Sequence, residues 1–308
     1  MHSLSLSIAG LALLLVGCIE PQIEAERTPQ KVVESTTSTA AAPQRSIADP
    51  SRMVSLGAGV TELVYALGHG DQLVAVDASS QVPAEAKAKA TLGYYRRVGA
   101  EGILAQAPTA ILASEGAGPP ASLEQLQTAG VAIHTLPAVV SLDDARSRIR
   151  ALGELLNEAD RAEQIIGSVN ADLAAVQAAT AERPTPSVLF IYARGGGTLM
   201  VAGTETSAQT MIEASGATLA TTGHEGFRPL TSEAVVQAAP DWVLLTAGGM
   251  ESMGGIDGVL AAPGLSATPA GRKRQVIAMD DNLLLDMGPR TGEAVRALAH
   301  KLHADLAL

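Results

Sequence analysis

The chain has 308 residues, 47% apolar and 17% charged, enough for two ordinary domains with a sizeable core. Only 2% of the residues are aromatic, too few for the rows of stacking rings used on single-stranded nucleic acid. Set against 32 Asp and Glu, the 21 Lys and Arg leave a net charge of −11, which repels nucleic acid and anionic membrane surfaces. The single cysteine, Cys18, excludes an internal disulfide and any multi-cysteine zinc or iron–sulfur site.

From Leu4 to Val16 the chain is an apolar run of signal-peptide length, too short for an ordinary membrane-spanning helix, so residues 1–17 read as a signal peptide. The run ends in Leu15-Val16-Gly17-Cys18, which resembles the lipobox of bacterial lipoproteins and implies a lipid on Cys18. Residues 18–50 turn to Glu, Gln, Thr, Ser, Ala and Pro, too few large apolar groups to repay the entropy of ordering, and read as a flexible tether. Anchor and tether place the folded body in the periplasm or at the outer face of the cytoplasmic membrane. The membrane is touched through the lipid only.

The folded body alternates strands with helices, which predicts an α/β fold of two Rossmann-like lobes with mostly parallel sheets. An N-terminal lobe over 51–140 carries aliphatic runs at Met53–Leu56, Leu73–Val76, Ala110–Ala113 and Ala132–Leu136, with helical patterns at Glu62–Leu67, Ala84–Ala90 and Ser122–Ala129. Connecting helices over 141–185 follow; the second, Asp160–Ala181, is about 30 Å long, enough to join the lobes rigidly. A C-terminal lobe over 186–308 carries strands at Ser187–Tyr192, Trp242–Leu245 and Gln275–Met279.

Gly57-Ala58-Gly59-Val60-Thr61-Glu62 follows the first strand, and Asp77 ends the second, which imitates a dinucleotide fingerprint. Glu62 stands where that fingerprint needs glycine, and its charge would face a pyrophosphate. Cofactor chemistry of that kind does not fit.

Three stretches stand out: Thr91-Leu92-Gly93-Tyr94-Tyr95-Arg96-Arg97-Val98-Gly99, Gly226-Phe227-Arg228-Pro229-Leu230-Thr231, and Met279 through Asp286-Met287-Gly288-Pro289-Arg290-Thr291. They resemble motifs of the haem-binding, substrate-binding proteins of bacterial haem-uptake ABC transporters. The resemblance runs from about Arg52 to the C-terminus. It extends to the wider two-lobe superfamily that binds vitamin B12 and siderophores.

The resemblance implies capture of haem b between the lobes and its delivery to an ABC permease dimer, with no catalysis. It makes Tyr94 the iron ligand, and phenolate is a hard anionic donor suited to ferric iron. Arg228 is then the cation expected to hold the phenol ionised. Arg96, Arg97, Arg194 and Arg290 are candidates for the haem propionates, since a guanidinium pairs well with a carboxylate; a solvated surface role is the alternative for each, and a helix-start role for Arg290.

Tyr95 is a competing ligand, and His224 a candidate for a sixth iron position or a second haem. His134 reads as structural, and His300 and His303 as a solvated helix face. Glu62 and Glu213 match the superfamily's acidic docking positions, one exposed on each lobe, that meet permease arginines.

The alternative ligand is cobalamin or a ferric siderophore, which would not need Tyr94 and would use more cleft aromatics than this chain has. An enzyme would need a nucleophile–base or metal constellation. The sequence has neither G-x-S-x-G nor H-E-x-x-H.

Overall fold

The computed structural model describes residues 46–194 and 197–306. The expected signal peptide, Cys18, nearly all of the tether, Gly195 and Gly196 lie outside the described residues. Among those described, no helix is long and apolar enough to cross a membrane.

The first sheet is built from β1 (Met53–Leu56), β2 (Leu73–Val76), β3 (Ala90–Thr91), β4 (Ala110–Ser114) and β5 (Ala132–Leu136), in the order β3-β2-β1-β4-β5, every pairing parallel. Its central strands are apolar on both faces because both faces are covered. Met53, Leu73 and Leu112 point towards α1 (Ala58–Ala66), while Val54, Leu56 and Ile111 point towards α2 (Ala100–Leu104) and α3 (Pro120–Thr128). Ile47, placed by the sequence reading in the tether, is buried in the first of these clusters, and its N–H donates to the Leu155 carbonyl at 2.9 Å. Ala84–Ala88 forms a short 3₁₀ turn rather than an α-helix.

α4 (Leu142–Leu155) begins at a capping box: Ser141 Oγ accepts from the Asp144 N–H at 3.1 Å, and the Asp144 carboxylate accepts from the Ser141 N–H at 2.9 Å. The predicted break falls at Asn157, which turns the chain with φ 59°. α5 (Ala159–Thr180) then runs 22 residues, about 33 Å. Ala162 and Ile166 near its start pack into the first lobe's core, and Val176 near its end packs into the second's. One helix thus belongs to both cores.

The second lobe follows as β6 (Ser187–Tyr192), β7 (Met200–Ala202), α6 (Ser207–Ala214), β8 (Thr218–Leu219), β9 (Phe227–Pro229), α7 (Ser232–Ala238), β10 (Trp242–Thr246), α8 (Ala247–Ser252), α9 (Gly255–Leu260), α10 (Pro269–Lys273), β11 (Val276–Met279), α11 (Asp281–Leu285) and α12 (Thr291–Leu302). The sheet order is β11-β10-β6-β7-β9, with β8 also pairing β6. β6, β8, β10 and β11 are parallel, and β7 and β9 extend the sheet antiparallel. These are two α/β lobes joined by a long helix.

Candidate functional site

In the first sheet the strand order reverses between β1 and β4, and at such a switch point a crevice opens outside the carboxyl ends of the strands. A cavity of about 290 Å³ lies there. Gly57, Ser79 and Ser114 line it from the ends of β1, β2 and β4, and Tyr192, Asp281 and Asn282 line it from the ends of β6 and β11 in the other lobe.

Gly57 has φ 117°, and a Cβ there would meet Ser114 Oγ at 2.3 Å, so only glycine fits. The Asp77 carboxylate accepts from the Gly57 N–H at 2.9 Å, the Ser79 N–H at 2.9 Å and the Ser80 hydroxyl at 2.7 Å. The acid that imitates a ribose-binding residue is consumed in shaping the strand ends. Asn282 Nδ2 donates to the Ser79 carbonyl at 2.9 Å and ties the two walls together.

Tyr94 precedes a 3₁₀ turn, Tyr95–Arg97, which is pinned on both sides. Tyr95 N–H donates to the Asp77 carboxylate at 3.3 Å, and its carbonyl accepts from the Gly118 N–H at 3.0 Å. The Gly116–Pro120 loop thus packs on this turn. At Gly116, φ 77°, a Cβ would strike Arg96 Nη1 at 2.4 Å.

Four side chains then stack in series. Arg194 lies over the Tyr94 ring at 5.2 Å, the Tyr94 and Tyr95 rings meet edge-to-face at 4.8 Å, and Arg96 lies over the Tyr95 ring at 4.9 Å. Arg194 Nη1 also donates to Tyr94 Oη at 3.3 Å.

Burial pushes the Tyr94 phenol up, but the hydrogen bond and charge of Arg194, helped by hydrogen bonds from Arg96 and Tyr95, outweigh it and hold the phenol below its ordinary value. Tyr95 goes the other way, raised by burial and then by the charge of Tyr94. The two adjacent phenols are therefore unequal, with Tyr94 the one prepared to ionise.

The remaining candidates are placed differently. Arg97 is exposed and does not line the cavity. Arg228 pairs with Val201, whose side chain packs in the core on one face of the second sheet, whereas its neighbour Phe227 pairs with Ala202, which packs on the other face. Phe227 lies edge-on to the cavity residue Tyr192 at 5.9 Å. Because side chains alternate along a strand, Arg228 points away from Tyr94. It lines, with His224, Thr221 and Thr222, a separate cavity of about 580 Å³. That cavity is the larger, but among the described residues the cations and phenols converge in the cleft. The cation on Tyr94 is Arg194, which corrects the expectation for Arg228.

Arg290 grips Glu62 across the lobes, Nε to Oε2 at 3.0 Å and Nη2 to Oε1 at 2.8 Å. Glu62 is 8% exposed and is spent inside the molecule, so neither a propionate role for Arg290 nor an exposed docking role for Glu62 fits. Glu213 is exposed, as expected, and accepts from Gln209 Nε2 at 2.9 Å. His300 is exposed, but His303 is buried, with Nε2 3.2 Å from the Ser215 carbonyl, so the pair shares no solvated face. His134 is half-buried in β5, and burial lowers its pKa. Among the described residues no three His, Cys, Asp or Glu side chains gather as a metal site.

Asp286, at the end of α11, also lines the cavity, as do Tyr192 and Asn282, three residues to which the sequence assigns no site role. The available signal was positional: Tyr192 ends a strand at the sheet's carboxyl edge, and the other two lie within the motif that follows the last strand.

The arrangement is two α/β walls, a rigid helical connector and a switch-point cavity carrying a cation-held phenol. A protein from Roseiflexus sp. RS-1, the periplasmic haem-binding protein RhuT in its apo form, superposes with TM-score 0.78 at 42% identity, over 82% of this chain and 97% of its own. The uncharacterized ABC transporter substrate-binding lipoprotein YvrC of Bacillus subtilis (strain 168) is 27% identical over 307 residues, 96% of this chain and 94% of its own length. A vitamin B12-binding protein of Pectobacterium carotovorum subsp. carotovorum (strain PC1) is 37% identical over 115 residues, 37% of this chain and 41% of its own. The periplasmic binding protein family matches residues 53–283, and the chain belongs to that family.

Proposed function

We propose that this protein captures one ferric haem b between its lobes outside the cytoplasm and delivers it to an ABC permease, without catalysis of its own. The observation that carries the reading is Tyr94, a phenol held below its ordinary pKa by Arg194 in the interlobe cavity. Phenolate is a proximal haem-iron ligand, and a neighbouring cation favours the ionised form that iron needs. Arg194 and Arg96 flank the phenols, so the same guanidiniums supply positive charge for propionates. The likeness to a haem-binding protein at 42% identity supports the same ligand.

The test is an absorption titration of the purified protein with hemin. Binding gives a shifted Soret band and a phenolate-to-iron charge-transfer band, and Tyr94→Phe removes the latter and weakens binding at least about tenfold, the worth of one charge-assisted contact. An unchanged charge-transfer band in Tyr94→Phe transfers the ligand role to the other phenol of the cavity, Tyr95. The local match to vitamin B12-binding proteins supports cobalamin as the second reading. Saturable binding of aquocobalamin with none of hemin would establish it in place of haem.

Attachment through a lipid on Cys18 would keep the body near its permease, consistent with the full-length likeness to a substrate-binding lipoprotein. Of the two carboxylates expected to dock on the permease, the exposed Glu213 keeps that role here. Glu213→Arg is expected to reduce haem delivery in reconstituted vesicles, more at low salt, while leaving hemin binding intact.

A further inference from the structure

Asp286 is a carboxyl group without the partners a buried carboxylate needs. Its Oδ2 is fully buried with no hydrogen-bond partner. The neighbouring Arg148, on α4 and 5% exposed, gives its Nη2 to the backbone carbonyls of Asp286 and Met287 instead, and its Nε has no partner either. The spot is closed on the first lobe's side by Gly59 of α1, where a Cβ would meet Arg148 Nη2 at 3.1 Å and Asp286 Cβ at 3.2 Å. Both lobes and the connector therefore meet around one side chain, which also lines the cavity that holds Tyr94.

The charged groups facing Asp286 are Arg148 from α4, Glu62 from α1, Asp77 beyond β2 and Asp280 before α11. Arg290 is taken by Glu62, and Asp144 draws on Arg148 from the latter's own helix. Tyr94, Tyr95, Arg96, Arg194 and Asp281 border the same cavity. One guanidinium thus answers several carboxylates, and it answers Asp286 through its backbone.

We propose that the Asp286 carboxyl is a proton-binding site of the ligand cavity, taking up one solvent proton when an anionic planar ligand fills the cleft. The ligand in this inference rests on the haem reading. Burial, opposed by Arg148 and reinforced by Glu62, Asp77 and Asp280, pushes the carboxyl up to about 7 in the ligand-free protein, so near neutral pH both forms are populated. Filling the cleft removes water and brings the propionates' negative charge. Both disfavour the carboxylate, so the group takes up a proton.

The experiment counts protons with a pH indicator in weakly buffered solution as hemin is added to the full chain and to Asp286→Asn. Tyr94 releases its proton in both proteins, so its contribution cancels in the difference. At pH 8 the parent is expected to take up about 0.9 proton more per hemin than Asp286→Asn, falling to about 0.1 at pH 6, the ionised fractions of an acid titrating near 7. The hemin-bound minus free infrared difference spectrum of the parent at pH 8 gains a protonated-carboxyl band, and this band is absent from both Asp286→Asn and Asp286→Ser. Equal proton counts with hemin bound, or a carboxyl band that persists in the variants, overturns the proton site and leaves the haem reading standing. Absence of any Soret shift in the parent overturns the haem reading, and this inference with it.

Discussion

Two polar clusters border the same cavity and are built on opposite terms. The Arg194–Tyr94–Tyr95–Arg96 series is partly exposed, its cations lie over rings, and its charges can be solvated from the mouth. At the junction of the lobes, Glu62 is locked to Arg290, Arg148 is buried, and Asp286 is half-buried with its Oδ2 enclosed; Arg148 Nε and Asp286 Oδ2 are left without partners. The first cluster is solvated and maintained at little cost to folding, which suits it to the ligand role proposed for it. The second sets the spacing of the lobes, and part of it is bought with stability. If that division is right, substitutions at the junction should change unfolding far more than those in the stacked series, which should change spectra and affinity.

The largest expected effect is at Asp286. Its carboxyl is raised from 3.8 to about 7, so between those values the folded protein holds a proton that the unfolded chain has lost. Its contribution is fully present below 3.8, is lost as pH rises through that window, and stays lost above it. At about 1.36 kcal/mol for each pH unit, the loss is about 4 kcal/mol. Asp286→Asn should therefore be more stable than the parent by up to about 4 kcal/mol in urea unfolding at pH 8, with a smaller gain at pH 5. A gain of the same size at both pH values would detach the effect from ionisation.

Next comes the Glu62–Arg290 pair, where the two truncations should be unequal. Removing one partner of a fully buried pair costs about 3–5 kcal/mol. Arg290→Ala strands the Glu62 side chain, 8% exposed, and should cost about 3 kcal/mol; Glu62→Ala strands Arg290, 30% exposed, and should cost about 2 kcal/mol. Urea unfolding of both variants measures the difference. Two losses below about 0.5 kcal/mol would return Glu62 to the role of a surface carboxylate.

What the sequence disclosed and withheld follows the same physics. Met53–Leu56 and Leu73–Val76 were legible to the residue because strands buried on both faces are continuous apolar runs, and α5 was legible from length and helical spacing. β3, β7, β8 and β9 are two or three residues long, too short to show any period. Tyr94, Arg96 and Arg194 could be singled out because a motif resemblance or a loop position marks them, and the structure brings them together. The face that Arg228 presents depends on register with β7, which a three-residue strand does not announce. Glu62 looked exposed because its partner lies 228 residues away, and Asp286 was passed over because nothing local distinguishes a buried carboxyl from a helix-end aspartate.

The smallest effect separates the two arginines considered for Tyr94. Arg194 both lies over the Tyr94 ring and donates to its hydroxyl, so Arg194→Ala should raise the phenol's pKa and move the appearance of the phenolate-ligated hemin spectrum to higher pH. An exposed cation–ring contact is worth about 0.5–1 kcal/mol, so folding stability should barely change. Arg228, on the other face of its strand, should leave the same titration unmoved when replaced by Ala. The paired comparison is informative in either direction because the substitutions are chemically identical and differ only in which side of one sheet they empty. A shift in Arg228→Ala and none in Arg194→Ala would mean that ligand binding brings β9 round to the phenol, and the stacked series would then describe only the waiting state of the cleft.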